Sequence, residues 1–247
     1  LSTIYEQKSC PLLSFYTLFL SRTHVIYLLF NEGYYSLSQN TTLRKDLCLE
    51  AMRLNYLLIE NESTNKPAVN ALLSLMCFHA SRFEARINPT GEIVLYEEQD
   101  TALWNKDLIL QGEFFLNKSA KGNEISKYHL EAAIAYWHTH KEETPEKWDN
   151  ILQLYNKLLI IEYSPIAALN RTYALAKAAG KAEAIVEAEK LKLITNHLYY
   201  SLLGYLYTDV DNETAIDHLK TALKLAKSET DKTTIRKSID KLKHIQN

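Results

Sequence analysis

Apolar residues recur at helical rather than alternating spacing along most of the 247-residue chain. Leu43, Leu47, Leu54, Leu57 and Leu58, with Glu50 among them, form a mostly apolar stripe in steps of three and four, and Thr41 or Thr42 stands ahead as its N-cap. Upstream, the apolar run Leu12 to Phe30 predicts a buried helix over about Ser14 to Asn31. Gly33 would end it, because a residue without Cβ adopts the left-handed conformation freely. Downstream, Pro67 suits a first helical turn and opens a helix through Leu72, Leu75, Met76 and His79 to about Phe83. The period then breaks. Asn88-Pro89-Thr90-Gly91 is turn chemistry, and the β-rich run Ile93 to Tyr96 predicts a small hairpin or extended excursion. Helix resumes with Asp100 or Thr101 as cap, runs through Trp104, Leu108 and Phe115, and stops at Lys121-Gly122-Asn123. That break divides the chain into regions 1–122 and 123–247.

The second region carries weak internal repeats with a period in the low thirties. In His197 to Lys227, Gly204 marks a close crossing of two helices and Tyr207 fills space one turn later. After the polar turn Asp209 to Asn212, the side chains of Ala215, Leu219 and Ala222 alternate small, large and small. Ala184 precedes Ala215 by one repeat, after the turn at Ala179-Gly180-Lys181, and Ile151 and Leu158 hold comparable places before Pro165. Small residues at crossings with bulky ones between them are the tetratricopeptide pattern. The expected fold is therefore all-α: a helical domain with a hairpin excursion, then a tetratricopeptide-like helix-pair stack closed by a polar-faced helix over Thr230 to Ile245.

Composition narrows the classes. Six glycines and five prolines are few for the turns of a large sheet. A net charge of −2 offers little counterion release on DNA, so no specific DNA binding is expected of this chain. Eight basic residues lie between Lys220 and Lys243, but acidic residues interleave them and the pattern is that of a solvated face. Cys10, Cys48 and Cys77 are odd in number and widely spaced, as in a reduced, cytoplasmic protein. The Leu12 to Phe30 run contains Arg22 and His24, too costly for a membrane span.

No phosphate loop, nucleophile elbow or metalloprotease motif is present, and no enzymatic activity, cofactor or metal is expected. His138 and His140 are two apart and point in different directions on a helix; His138 with Glu142 lacks further ligands, so solvated or capping roles are expected. Asn31, Glu32 and Gly33 read as a capped turn over packed tyrosines. The more suggestive constellation is His79, Arg82 and Arg86 on one helical face, with Glu97, Glu98 and Asp100 returning after the hairpin and Trp104 beyond. Arginine favours planar pairing with carboxylates, so at least one ion pair from Arg82 and Arg86 to these acids is expected. The cluster is read as a structural network or as an interaction site.

Several segments together resemble one family. VIYLLFNEGYYS (Val25 to Ser36), LCLEAMRL (Leu47 to Leu54) and ALLSLMCFHASRFEAR (Ala71 to Arg86) are similar to segments of certain large extracytoplasmic-function RNA polymerase sigma factors. So are GEIVLYEEQDTALWNKDLILQG (Gly91 to Gly112), YHLEAAIAYWHTH (Tyr128 to His140) and SPIAALNRTYALAKAAG (Ser164 to Gly180), in the same order. The resemblance is to the C-terminal extension of that family, without its polymerase-binding and promoter-reading modules. It implies a cytoplasmic, non-catalytic regulatory domain that modulates transcription initiation through protein contacts, with RNA polymerase or the sigma core modules as partners. The alternative is a small-molecule-sensing helical domain with a pocket near Arg82, Arg86 and Glu98.

Overall fold

The computed structural model describes residues 11–35, 43–88 and 94–246, with side chains at 22–34, 43–88 and 94–244. The chain forms α1 (Pro11–Tyr35), α2 (Lys45–Glu60), α3 (Pro67–Ala80), the single turn α4 (Phe83–Arg86), α5 (Lys106–Ser119) and α6 (Lys127–Trp137). Then follow α7 (Pro145–Ile161), α8 (Pro165–Ala179), α9 (Lys181–Leu191), α10 (His197–Tyr207), α11 (Asn212–Leu225) and α12 (Glu229–Gln246). Between α4 and α5 lie two single 3-10 turns, Tyr96–Glu98 and Thr101–Leu103. The architecture is all-α, as the periodicity predicts.

The start signals are chemical. Pro67, Pro145 and Pro165 occupy first turns, where a missing N–H costs nothing. The side chains of Asn105, Thr144, Ser164, Asn196 and Asp211 accept from backbone N–H groups one turn in, satisfying donors that the helix leaves open. The expected cap at Thr41 or Thr42 is corrected: α2 begins at Lys45 with Arg44 in the cap position and no side-chain cap bond, and the two threonines themselves lie outside the described residues.

Helix α3 is apolar on nearly every face and is accordingly central. It packs on α1, α2, α5 and α6. Leu72, Met76 and Phe78 are fully enclosed, each contributing on the order of 1.5–3 kcal/mol by leaving water. Two polar side chains are tied into it: Asn55 Nδ2 donates to the Val69 carbonyl at 2.9 Å, and Ser74 Oγ to the Gly112 carbonyl at 2.7 Å. The same core takes in Tyr128, Ala132 and Ala135 of α6, so apolar packing runs past residue 122. α6 then shares a second core with α7 and α8 through Leu130, Ile134 and Trp148.

From α7 onward each helix packs on the next, with connections short enough to make neighbours antiparallel. Ala184, Ala215 and Ala222 are wholly buried at the crossings and Leu219 lies between them, the alternation read in the sequence. A Cβ on Gly204 would stand 2.6 Å from Leu219 Cγ, so this glycine permits the α10–α11 approach.

Three local expectations need correction. Gly33 does not end its helix in the left-handed region. α1 continues to Tyr35, and a Cβ on Gly33 would meet Cys48 Sγ at 2.8 Å and the Arg44 carbonyl at 2.9 Å, so its role is to admit the start of α2. The Asp100 cap is real, accepting from Ala102 N, but it caps one 3-10 turn; α5 begins only at Lys106. α3 stops at Ala80, and α4 carries the chain to Arg86 after a break. The excursion leaves at a bridge residue, Ile87, and returns with Val94 N donating to the Arg86 carbonyl at 2.9 Å; its turn, 89–93, lies outside the described residues.

Cys48 and Cys77 are free and buried, and burial pushes both thiols up to about 12. Cys10 lies outside the described residues. Among the described residues no helix is long and apolar enough to cross a membrane.

Candidate functional site

The segment 94–104 is a strap laid across the junction of the two regions, and Tyr96 is its anchor. The Arg82 guanidinium stands 5.4 Å from the Tyr96 ring centre, the Lys141 ammonium 5.0 Å and the Lys147 ammonium 5.3 Å. His138 meets the same ring edge-on at 5.2 Å. Each cation sits near the electron-rich ring, a contact that strengthens as water is excluded.

Hydrogen bonds fix the strap from the second region. Lys141 Nζ donates to the carbonyls of Tyr96, Glu97 and Gln99 at 2.7, 3.0 and 3.2 Å. The Lys147 side chain is 1% exposed. Such a charge is tolerated only when paired, and its ammonium donates to Tyr96 Oη at 3.2 Å, the His140 carbonyl at 2.8 Å and Glu143 Oε1 at 2.9 Å. Burial pushes the Glu143 carboxyl up, but bonds from Lys147, Lys177 and Trp148 outweigh it and hold the group below its ordinary range.

The expected arginine–carboxylate cluster is therefore corrected. Glu97 turns to α8, where its Oε1 accepts from Tyr173 Oη at 3.0 Å and pairs with Lys177 at 3.3 Å. Glu98 and Asp100 are exposed. Among the described residues no ion pair joins Arg82 to any of the three. Arg82 is buried, with Tyr96 on one side and Trp104 at 6.0 Å on another; Arg82 Nε and the Trp104 indole N–H take no partner there. Arginine's weakly hydrated, planar head suits such aromatic surroundings. The Arg86 guanidinium lies 4.0 Å from the Tyr34 ring. Of the seven residues singled out, the structure groups Arg82 and Trp104 around the strap and His79 with Arg86 around Tyr34, and it sends the acids outward.

Behind the strap is a cleft of about 450 Å³, walled by α1, α3, α6, α7 and α8. Four α6-face positions, Glu131, Ile134, Ala135 and His138, line it at i, i+3, i+4 and i+7. Tyr27 and Asn31 of α1, His79 of α3, Tyr155 of α7, and Asn170 and the cap residue Ser164 of α8 complete the polar and aromatic lining. Tyr27 Oη donates to Glu131 Oε1 at 3.1 Å; the other Glu131 oxygen has no protein partner among the described residues. Burial pushes the Glu131 carboxyl up to about 7, against the pull of Lys127 and the Tyr27 bond. Burial, with Arg82 and Lys147 nearby, lowers His138 to about 3. Burial with Arg82 and Arg86 likewise holds His79 well below its usual value. Both imidazoles are neutral at physiological pH, and each has a buried Nδ1 without a partner.

His138 follows the last turn of α6 as its cap residue, but its ring is enclosed by Tyr96 and Trp148 rather than solvated. Among the described residues no group of three His, Cys, Asp or Glu is placed to hold a metal. Glu131 is the residue that the sequence reading passes over. The available signal is one carboxylate within the otherwise apolar run from Leu130 to Trp137.

Residues 21–120 match the model of a family of unknown function, DUF6596. The chain is also similar to the uncharacterized protein R00370 of Rhizobium meliloti (strain 1021), at 33% identity over 226 residues, covering 88% of this chain and 52% of that protein. The chain thus spans about half the length of the curated relative it matches. No solved structure matches it.

Proposed function

We propose that this chain is a non-catalytic regulatory module that works through protein contacts, in the manner of the C-terminal extension of an extracytoplasmic-function sigma factor. The observation that supports the reading is a row of apolar side chains at one end of the helix stack. The α7–α8 and α9–α10 connections fall at the same end of an antiparallel stack, and Ile160, Ile161, Tyr163, Ile194 and Leu198 there are 85%, 47%, 63%, 66% and 42% exposed. Exposed apolar side chains gathered at one end of a helical stack are the kind of surface on which repeat proteins dock partners. RNA polymerase or the sigma core modules are the partners this reading names; duplex DNA and membranes are not.

The test is binding of purified bacterial core RNA polymerase to the immobilised chain by biolayer interferometry. Retention is expected, weakened at least tenfold by Ile160→Asp or Tyr163→Asp in variants whose circular dichroism is unchanged. Absence of retention, or equal retention by both variants, refutes the reading. Tight sequence-selective retention of duplex DNA in a gel shift at physiological salt would also count against it.

A further inference from the structure

We propose that the cleft between α1, α3, α6, α7 and α8 is a binding site for a small primary amine, whose ammonium group sits on Glu131 and whose body crosses the apolar floor toward His138. The cleft reaches the α7–α8 connection through Leu158 and Ser164 but is lined by none of the five side chains of the exposed row, and its occupancy has its own readout.

The carboxylate is the first argument. Among the described residues Glu131 receives one hydrogen bond, from Tyr27, and its second oxygen has no protein partner. The nearest cation of its own helix, Lys127, is engaged elsewhere: it pairs with Glu162 at 2.9 Å and lies 4.9 Å from the Tyr27 ring centre. Among the described residues Glu131 makes no direct ion pair, and the field of Lys127 offsets only part of the cost of ionising it in this enclosed place. A ligand ammonium supplies the missing charge and up to three donors.

The surroundings suit such a ligand. Neutral imidazoles each offer one acceptor nitrogen, the side chains of Asn31, Ser164 and Asn170 offer oxygens, and Tyr27 and Tyr155 add aromatic walls.

Geometry sets the length. Glu131 and His138 are seven residues apart on one helix face, about 10 Å along the axis at the usual rise. Between them Ile134 and Ala135, faced by Leu75 and Leu158, make an apolar floor. The ligand class is therefore an amine with an apolar or aromatic body and a hydrogen-bonding group at its far end, within a volume of about 450 Å³.

Tyramine is a probe with these features, and 4-ethylphenol is its counterpart without the ammonium. Isothermal titration of the whole chain should show tyramine binding, at least tenfold weaker binding of 4-ethylphenol, and at least tenfold weaker tyramine binding to Glu131→Gln. Tyr155→Leu, which leaves α6 untouched, should weaken tyramine severalfold and serves as the second variant should Glu131→Gln misfold. Equal binding of the two compounds, no binding of tyramine at millimolar concentration, or unchanged affinity in both variants would overturn the proposal.

Discussion

Replacing His138 with phenylalanine should leave the protein folded at neutral pH and make it more resistant to acid than the wild type. The ring contacts with Tyr96 and Trp148 survive in phenylalanine, and no protein hydrogen bond to the imidazole is lost; its buried Nδ1 has no partner. The folded imidazole titrates at about 3 instead of the ordinary 6.5. Its folded value is depressed, so the unfolded chain takes up the proton first. Stability is therefore fully present above 6.5 and is lost as pH falls from there toward 3. Across that window each pH unit costs about 1.4 kcal/mol, and integrating from pH 7.5 to pH 5 gives about 2 kcal/mol. The result requires only that the folded value lie below 5. His79 adds a loss of the same sign and Glu131 one of opposite sign; both are present in the two proteins and largely cancel, His138 being the weakest of the influences on His79. Urea unfolding followed by circular dichroism from pH 7.5 to 5 provides the measurement. The wild-type curve should fall away from that of His138→Phe by about 2 kcal/mol at the acid end. Parallel curves would show that the imidazole is as easily protonated in the fold as in water, and the reasoning would fail.

Glu131→Gln should act in the other direction: the folded carboxyl is raised to about 7, so wild-type stability is complete below 4.5 and declines as pH rises through 7. The variant should gain about 2–3 kcal/mol on wild type at pH 8 and nothing at pH 4.5, by the same urea series. Gly204→Ala places a methyl 2.6 Å from Leu219 and should cost about 1–3 kcal/mol by overpacking, read as a lower urea midpoint with unchanged slope. Lys147→Met removes the ammonium but leaves Glu143 bonded to Lys177 and Trp148 and Tyr96 Oη bonded to the His140 carbonyl, so the cost should be only about 1–3 kcal/mol. A cycle with Glu143→Gln should show coupling of about 1 kcal/mol, whereas additive effects would mean that the ion pair carries none of it.

Local chemistry made the helices legible. Pro67 at a first turn and the small residues 184, 215 and 222 act within one or two turns, and the structure uses them as the spacing implies. Gly33 was legible as special but not as to why, because a close approach needs a second helix that its neighbours in sequence do not reveal. Asp100 failed similarly: a cap signal reports that a turn starts, not how long it runs. The arginine cluster went astray through distance in the chain. Charge counting paired Arg82 with the nearest acids, whereas Glu97 found Lys177, 80 residues away. The cleft drew its walls from five helices, and nothing around Glu131 in sequence names Tyr27 or Tyr155 as its company.

The strap across the junction also bears on the order of folding. Its bonds to Lys141, Lys147 and Lys177 join residues 42 to 80 apart in sequence, and such contacts incur a large loop-closure cost before they form. The expectation is that the strap closes late, beyond the transition state. Loosening it, by changing Lys141 for example, should hasten unfolding while leaving the refolding rate nearly untouched. The strap sets how long the native state lasts rather than how quickly it is reached.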